Sequence, residues 1–421
     1  MKRLAWYLFV VFVVVGCLIK GSFAQKALTW REVREKFEAN NPTMLAGRIG
    51  VEESQAQQIT AYLRPNPAFT ASVDQLHPWR SHYAWQDTLP IVSVSYLFER
   101  LHKRQLRLES AQKGTAIAIS QLADEERGLL FTLRSAFVQV LQQKAVFELA
   151  KENLSFYDRV LQVSGDRFKA GDIARIDLDR LQLQRVTFES DLQTAEVNLR
   201  TAKIQLLTLL NDRTPVEQFD VVGLFDFSEQ ISPLEEFRTI ALETRPDLRA
   251  AVQSIDQAKA NYRLAEANAS TDPTIGINAG WNTGFLQPNN ELYVGLSVSI
   301  PLRIFDRNQG ERLRTKLDIG RNERTRDAAE ALVYSDVDSA YATLSSTLIL
   351  LRPYKTKYLQ QAVTVRDTVT FSYERGGASL LDFLQAQNDY RNVQRSYLTL
   401  VGSYLTAAAQ LNLAVGREVI E

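Results

Sequence analysis

Three histidines, His77, His82 and His102, and one cysteine, Cys17, are all the imidazole and thiol chemistry that 421 residues offer. The spacing His77-x-x-x-x-His82 in a polar loop could seat a metal ion; polar loops carry such residues equally well without one. Met44 is the only methionine after the initiator. A chain that stores or senses soft metals supplies more ligands than this, so no resident metal or other cofactor is expected. Cys17 falls in an N-terminal apolar run, which leaves the rest of the chain without disulfide or thiol chemistry. The acids Asp124-Glu125-Glu126 lie within a helical stretch and read as solvated surface. There is no phosphate-cradling glycine loop, no His-Glu-x-x-His and no nucleophile elbow. An enzyme is therefore not expected, and any work must be driven by a partner. Lys plus Arg and Asp plus Glu both number 49, so the formal charge is zero. Nucleic-acid binding needs a basic excess that is missing here.

The first residues read as an address. Lys2 and Arg3 precede an apolar run from Leu4 to Ile19, and Ser22-Phe23-Ala24 offers a small-residue cleavage site. Residues 1–24 are expected to be a signal peptide. The alternative is a lipoprotein signal over 1–16, since Val14-Val15-Gly16-Cys17 resembles a lipobox that would leave Cys17 acylated. Either way the chain leaves the cytoplasm. No later run reaches the ~18 apolar residues of a spanning helix, so entry into a membrane would use β-strands.

The remaining chain repeats itself at long period. Phe168-Lys169-Ala170-Gly171 is echoed by Tyr373-Glu374-Arg375-Gly376, Ile176-Asp177-Leu178 by Leu381-Asp382-Phe383, and Gln182 by Gln387. Asn41-Pro42 corresponds to Arg245-Pro246, and Asn66-Pro67 to Asp272-Pro273. Matched prolines and glycines in one order are not a by-product of amphipathic helices. Residues 25–212 form a first repeat, 213–235 a linker with a small girdle of apolar residues, 236–416 a second repeat and 417–421 a tail.

Each half reads helix, strand pair, long helix, turn, long helix. A helix from Trp30 to Tyr62 is stopped by Pro65 and Pro67. Period-two alternation places strands at about 67–77, 89–99, 273–283 and 291–301. A proline-free stretch from Leu101 to Val163 predicts a very long helix ending near Gly165, followed by a second over Ile173 to Leu210. Leu192, Ala195, Leu199, Ala202, Leu206 and Leu209 are spaced 3, 4, 3, 4, 3, a coiled-coil seam.

Four strands cannot close a barrel, because unpaired edges would face lipid. Strands borrowed from identical chains would solve this, and a cyclic trimer would give a twelve-stranded β-barrel. Phe69, Trp281 and Tyr293 would lie at the membrane interfaces. The number of subunits stays open at this point, as does a periplasmic coiled-coil scaffold that never enters the membrane.

The two-fold repeat, the proline-marked strands and the paired Phe/Tyr-x-x-Gly turns resemble the TolC family of outer membrane efflux proteins. The resemblance runs from about Leu28 to Gly416. A strand ending Ser299-Ile300-Pro301-Leu302 and then Phe305-Asp306-Arg307-Asn308-Gln309-Gly310 resembles the cobalt–zinc–cadmium subtype. That motif either tracks metal cargo or only shapes the corner, where Pro301 suits a strand end. The family implies an α+β membrane protein in two tandem repeats. Its homotrimer makes an outer-membrane barrel above a periplasmic α-helical barrel. It implies a passive exit duct in outer membrane lipid, docked to a periplasmic membrane-fusion adaptor and an inner-membrane pump of RND type. Divalent heavy-metal cations are the expected cargo; multidrug efflux or type I protein secretion is the alternative.

The resemblance also implies site residues. The duct narrows at the hairpin tips, near Gly171, Asp172, Gly376 and Gly377, where an adaptor also docks. Glycine suits left-handed backbone angles there. Asp382 matches a pore-lining acid, and Asp177 is its repeat partner. As rings of carboxylates they would favour cations, although Asp382 also suits a helix cap. Tyr373 matches a tyrosine of the closing network. Ala378 and Gln385 depart from the pattern, replacing an arginine and a second acid, so Arg375 or Arg175 would hold the gate.

Overall fold

The structure, a computed structural model, describes residues 27–76, 88–282 and 291–420. Cys17, the expected signal segment, His77 and His82 lie outside the described residues. The elements in chain order are α1 (Trp30–Asn40), α2 (Pro42–Tyr62), β1 (Ala68–Asp74), β2 (Leu89–Leu97), α3 (Lys103–Ala170) and α4 (Arg175–Leu209). After the connecting segment come α5 (Leu234–Thr244), α6 (Pro246–Asn268), β3 (Thr274–Asn282), β4 (Glu291–Ser299), α7 (Gln309–Pro353), α8 (Leu359–Glu374) and α9 (Leu380–Val415).

The expected single helix over Trp30–Tyr62 is two helices. Asn41 takes extended angles and caps α2, accepting from the N–H groups of Thr43 and Met44. Pro42 then sits at the first helical position, where its missing N–H costs nothing. The Asn41 amide also donates to the Leu209 carbonyl at the end of α4, at 2.9 Å. Arg245 does the same work in the second half. It precedes Pro246, is buried, and donates to the Ala414 carbonyl near the end of α9 at 3.2 Å. Asp247 and Asp336 neutralise it. In both halves, the residue before the proline ties the start of the second short helix to the end of the last long one.

The α3 helix has 68 residues and is about 100 Å long. Gly165 does not end it. A single glycine inside a helix costs about 1 kcal/mol and is carried by its neighbours. In the second half the matching path is interrupted. Pro353 closes α7, and Tyr354–Tyr358 form a π-helical turn before α8. Helix α9 has the length and apolar composition of a membrane span, contrary to expectation. Much of it is core: Val401, Tyr404, Leu405 and Leu411 are buried with Phe237 of α5 and Val337 and Leu344 of α7.

The connecting segment adds a short 3-10 turn, Val216–Gln218, and a parallel bridge between Leu28 and Val221. Phe219 and Val221 enter the core of the first half, beside Phe137 and Leu206. Phe227 enters that of the second.

The four strands form one antiparallel sheet in the order β1-β2-β3-β4. The join between halves is β2 with β3, where Val94 faces Ile277 and Val92 faces Ala279. The register gathers side chains by type. Phe69, Val94, Ile277 and Leu296 lie in one row across the sheet, and Ala71, Val92, Ala279 and Val294 in the next. Thr70, Ser93, Asn278 and Gly295 fill the row between them, pointing to the opposite face. One face is thus apolar, and the other is mainly hydroxyl, amide and glycine, with Leu89, Ile91 and Leu97 of β2 as its apolar members. Trp281 shares the apolar face with Phe69. Tyr293 does not, in keeping with its place opposite Leu292 and Val294 in the strand alternation. It lies across Gly280 on the polar face, where a Cβ on residue 280 would come within 2.5 Å of the tyrosine hydroxyl.

Candidate functional site: the hairpin tips and the strand–helix junctions

Two helical turns mark the tip end. Gly171 ends α3 at φ +84°, with its N–H on the carbonyls of Arg167 and Phe168. The Asp172 N–H also reaches the Arg167 carbonyl, and the Asp172 side chain is exposed. Gly376 follows α8 at φ +77° and bonds the Tyr373 carbonyl. Glycine is the residue that takes these angles without a Cβ clash. Gly377 is not in the left-handed region, so the angle expected of the pair belongs to Gly376 alone.

Asp382 is the third residue of α9 and is exposed. Its carboxylate accepts from the Ser379 N–H at 3.2 Å and the Ser379 hydroxyl at 2.7 Å, while Ser379 Oγ accepts from the Asp382 N–H. This reciprocal capping box satisfies two orphan donors of the helix start. Asp177 stands at the equivalent place in α4, but Ala174 precedes it and there is no side-chain cap. The Asp177 carboxylate is half-buried and has no hydrogen bond or ion pair among the described residues.

Between the tips lies an aromatic core. Tyr373 stacks on Phe383 at 4.9 Å, and Tyr157 stacks on Phe188 at 4.4 Å. Tyr157 also meets Phe383 at 6.3 Å, which joins the two hairpins. Val160 and Leu181 complete the cluster. Tyr157 donates to the Leu181 carbonyl, and burial pushes its phenol well above the usual range. The Tyr373 hydroxyl is buried without a well-formed hydrogen bond. Burial raises its pKa; Ser164 and the Arg167 guanidinium oppose the rise, and the Asp177 carboxylate adds to it. Arg167 also donates to the Tyr373 carbonyl at 2.8 Å, a cross-hairpin bond the sequence did not single out. Higher up, Arg391 of α9 pairs with Asp191 of α4 at 2.9 Å.

The two proposed gate arginines are exposed. Arg175 pairs with Asp179 on its own helix, and Arg375 covers the Phe371 ring at 3.5 Å. Neither bridges the hairpins here. Gln385 donates to Asp389 one turn on, at 2.8 Å. Tyr373 and Asp177 are therefore brought together, whereas Asp382, Gln385, Arg175 and Arg375 each engage locally.

At the other end, the strand–helix junctions are tightly made. Asn308 precedes α7 at φ +61°. Its N–H bonds Asp306 at 2.8 Å, and its amide donates to the Ala265 carbonyl of α6 at 2.7 Å. Gln309 accepts from the Arg307 N–H and donates to the Phe305 carbonyl. Phe305, Arg307 and Gly310 are exposed. The Phe305–Gly310 motif after Pro301 thus builds a corner. In the first half His102 takes the corner at φ +56°. Buried Lys103 reaches across to Asp272 at 2.6 Å. Burial alone would raise the Asp272 carboxyl; bonds from Lys103 and the Arg100 N–H outweigh it and hold the group below the usual carboxylate range.

The chain is mostly helical, with one small sheet and two glycine-turned helical hairpins. The family profile described as "Outer membrane efflux protein" matches residues 33–212 and 238–417, and the chain belongs to that family. It is 24% identical over 379 residues to the cobalt-zinc-cadmium resistance protein CzcC of Cupriavidus metallidurans, covering 90% of this chain and 87% of that one. Its fold matches the CusC channel with a TM-score of 0.75 at 16% identity, covering 94% and 96% of the two chains. The Neisseria gonorrhoeae MtrE channel, solved in its open state, matches with a TM-score of 0.73 at 18% identity, covering 92% and 88%. The protein is an outer membrane efflux channel.

Proposed function

We propose that three copies of this chain close a twelve-stranded barrel in the outer membrane and continue it as a helical duct through the periplasm. The observation that carries this reading is the sheet. One face is apolar and exposed, and the outer edges of β1 and β4 have no partner among the described residues. Such edges are not tolerated in lipid. Joining β4 of one copy to β1 of the next in a closed ring pairs every edge. A seam on α4 supports self-association. Ile176, Leu183, Val197 and Ile204 recur at heptad spacing and are 59%, 72%, 53% and 49% exposed. A stripe of this kind takes a neighbouring helix.

The duct is passive. An adaptor docks at the tips around Gly171 and Gly376, and an inner-membrane pump of RND type supplies the energy. The cargo is divalent heavy-metal cations, a reading supported by the similarity to CzcC. The mature chain starts after Ala24 or at an acylated Cys17. Outer-membrane fractions should yield a heat-modifiable trimer that conducts ions in planar bilayers. A detergent-free, water-soluble monomer without conductance overturns the assembly. Deleting the gene should sensitise cells to zinc, cobalt or cadmium. Sensitivity to drugs alone would move the cargo to the multidrug class.

A further inference from the structure

The apolar face of the sheet does not end where the strands end. On β2 it continues through Tyr96 to Phe98, whose rings meet edge to face at 5.7 Å. Below these rings, at the start of α3, lies a concavity of about 340 Å³ lined by Arg64, Tyr96, Phe98, Glu99, His102, Lys103 and Arg104 among others. The charges in it divide into two kinds. Lys103 is spent on Asp272, and Glu99 is spent on Arg107. Arg64 and Arg104 are not. Among the described residues neither has an acidic partner, and Arg64 has no hydrogen bond. Arg104 is held in place by Tyr62, lying 4.2 Å over the ring and donating to its hydroxyl at 3.3 Å. That contact orients the guanidinium without neutralising it.

The setting is an apolar face giving way to aromatic rings and then to uncompensated cations. Exposed apolar side chains continue the rim at the second junction, where Leu302 is 80% and Phe305 90% exposed. This order matches the order of a leaflet in depth: acyl chains, interface, headgroup phosphate. We infer that Arg64 and Arg104 form a binding site for the phosphate of an anionic phospholipid in the periplasmic leaflet, with its acyl chains along the apolar face of β2. The inference rests on the barrel reading, because it needs that face to be in the membrane. The occupant is fixed by charge complementarity and by continuity with the apolar face. A guanidinium offers paired donors to a phosphate, and Arg104 is pre-oriented for that task.

The test uses the full-length mature protein in nanodiscs of phosphatidylcholine with a minority of phosphatidylglycerol. Lipid retained after gentle extraction is counted by native mass spectrometry. The wild type should retain phosphatidylglycerol over phosphatidylcholine. Arg64→Gln with Arg104→Gln should lower that preference by about fivefold for each arginine removed. Arg64→Lys with Arg104→Lys should keep most of it. A charge-matched control on α4, Arg180→Gln with Arg200→Gln, should leave it unchanged. Insertion and conductance are recorded first for every variant. Failure of the wild type to insert overturns the barrel reading and this one together. Insertion with equal phosphatidylglycerol retention in the double glutamine variant overturns the lipid site alone.

Discussion

The two hairpin tips share a left-handed glycine and differ in how the returning helix begins. In the second tip Ser379 and Asp382 close a capping box, and Phe383 behind them is fully buried. In the first, Ala174 offers no side chain to the helix start, Asp177 is left unengaged, and Leu178 is only half-buried. The second returning helix is thus locked at its origin by a cap and an aromatic plug. The first is held mainly by what packs on it. The same glycine turn is followed by a capped helix start in one tip and an uncapped one in the other. The uncapped one keeps a free carboxylate beside Tyr373.

The largest test of this asymmetry is the plug. Phe383→Ala removes a ring that touches both Tyr373 and Tyr157. It should cost about 3–5 kcal/mol, read as a lower denaturation midpoint and faster proteolysis at both tips. Leu178→Ala should cost clearly less. Equal costs would mean the two tips are equivalent in packing.

The shared feature comes next. Gly171→Ala puts a Cβ at φ +84° and should cost about 1–2 kcal/mol. Gly376→Ala should cost the same, while Gly377→Ala, in ordinary backbone, should be nearly silent. A Gly377→Ala variant as damaged as Gly376→Ala would show that the turn is built otherwise.

The cap is worth less and can be moved. Ser379→Ala should release about 1 kcal/mol of local stability at the start of α9. Hydrogen exchange of the amides at 381 and 382 would accelerate. Ala174→Ser should do the reverse in α4, since residue 174 already has extended cap angles and Asp177 stands three residues on. Protection gained at 176 and 177 would confirm that one side chain separates the tips. No change would place the difference elsewhere.

Much of this was legible locally, and what was not has a physical reason. Strand positions followed from alternation and the flanking prolines, and the observed strands fall within the expected ranges. The break at Asn41 was missed because helical periodicity on both sides masked it; Asn-Pro was itself the signal. Gly165 misled because a glycine ends a helix only where the backbone turns left-handed, which occurs six residues later. The pairing of β2 with β3 was beyond any local pattern, since it joins segments about 180 residues apart. At the site, the place of Asp382 just after a turn suggested a helix cap, while its partner Ser379 was not singled out. The Arg167–Tyr373 bond had no sequence signature at all.

The smallest effect concerns cargo and separates charge from cap at Asp382. Its carboxylate is exposed although Ser379 engages one oxygen, so it still presents charge to water. Asp382→Asn removes the charge and keeps a polar group for the cap. Ser379→Ala keeps the charge and removes the cap. If three copies of Asp382 ring the duct, the first change should lower the cation-to-anion permeability ratio by about twofold to fivefold, the worth of a unit charge a few ångströms away in water. The second should leave the ratio alone. Asp177→Asn, at the tip without a cap, should add to the loss. Reversal potentials unchanged in both aspartate variants would reduce Asp382 to a cap and Asp177 to a neighbour of Tyr373. Selectivity would then reside in the pump and not in the duct.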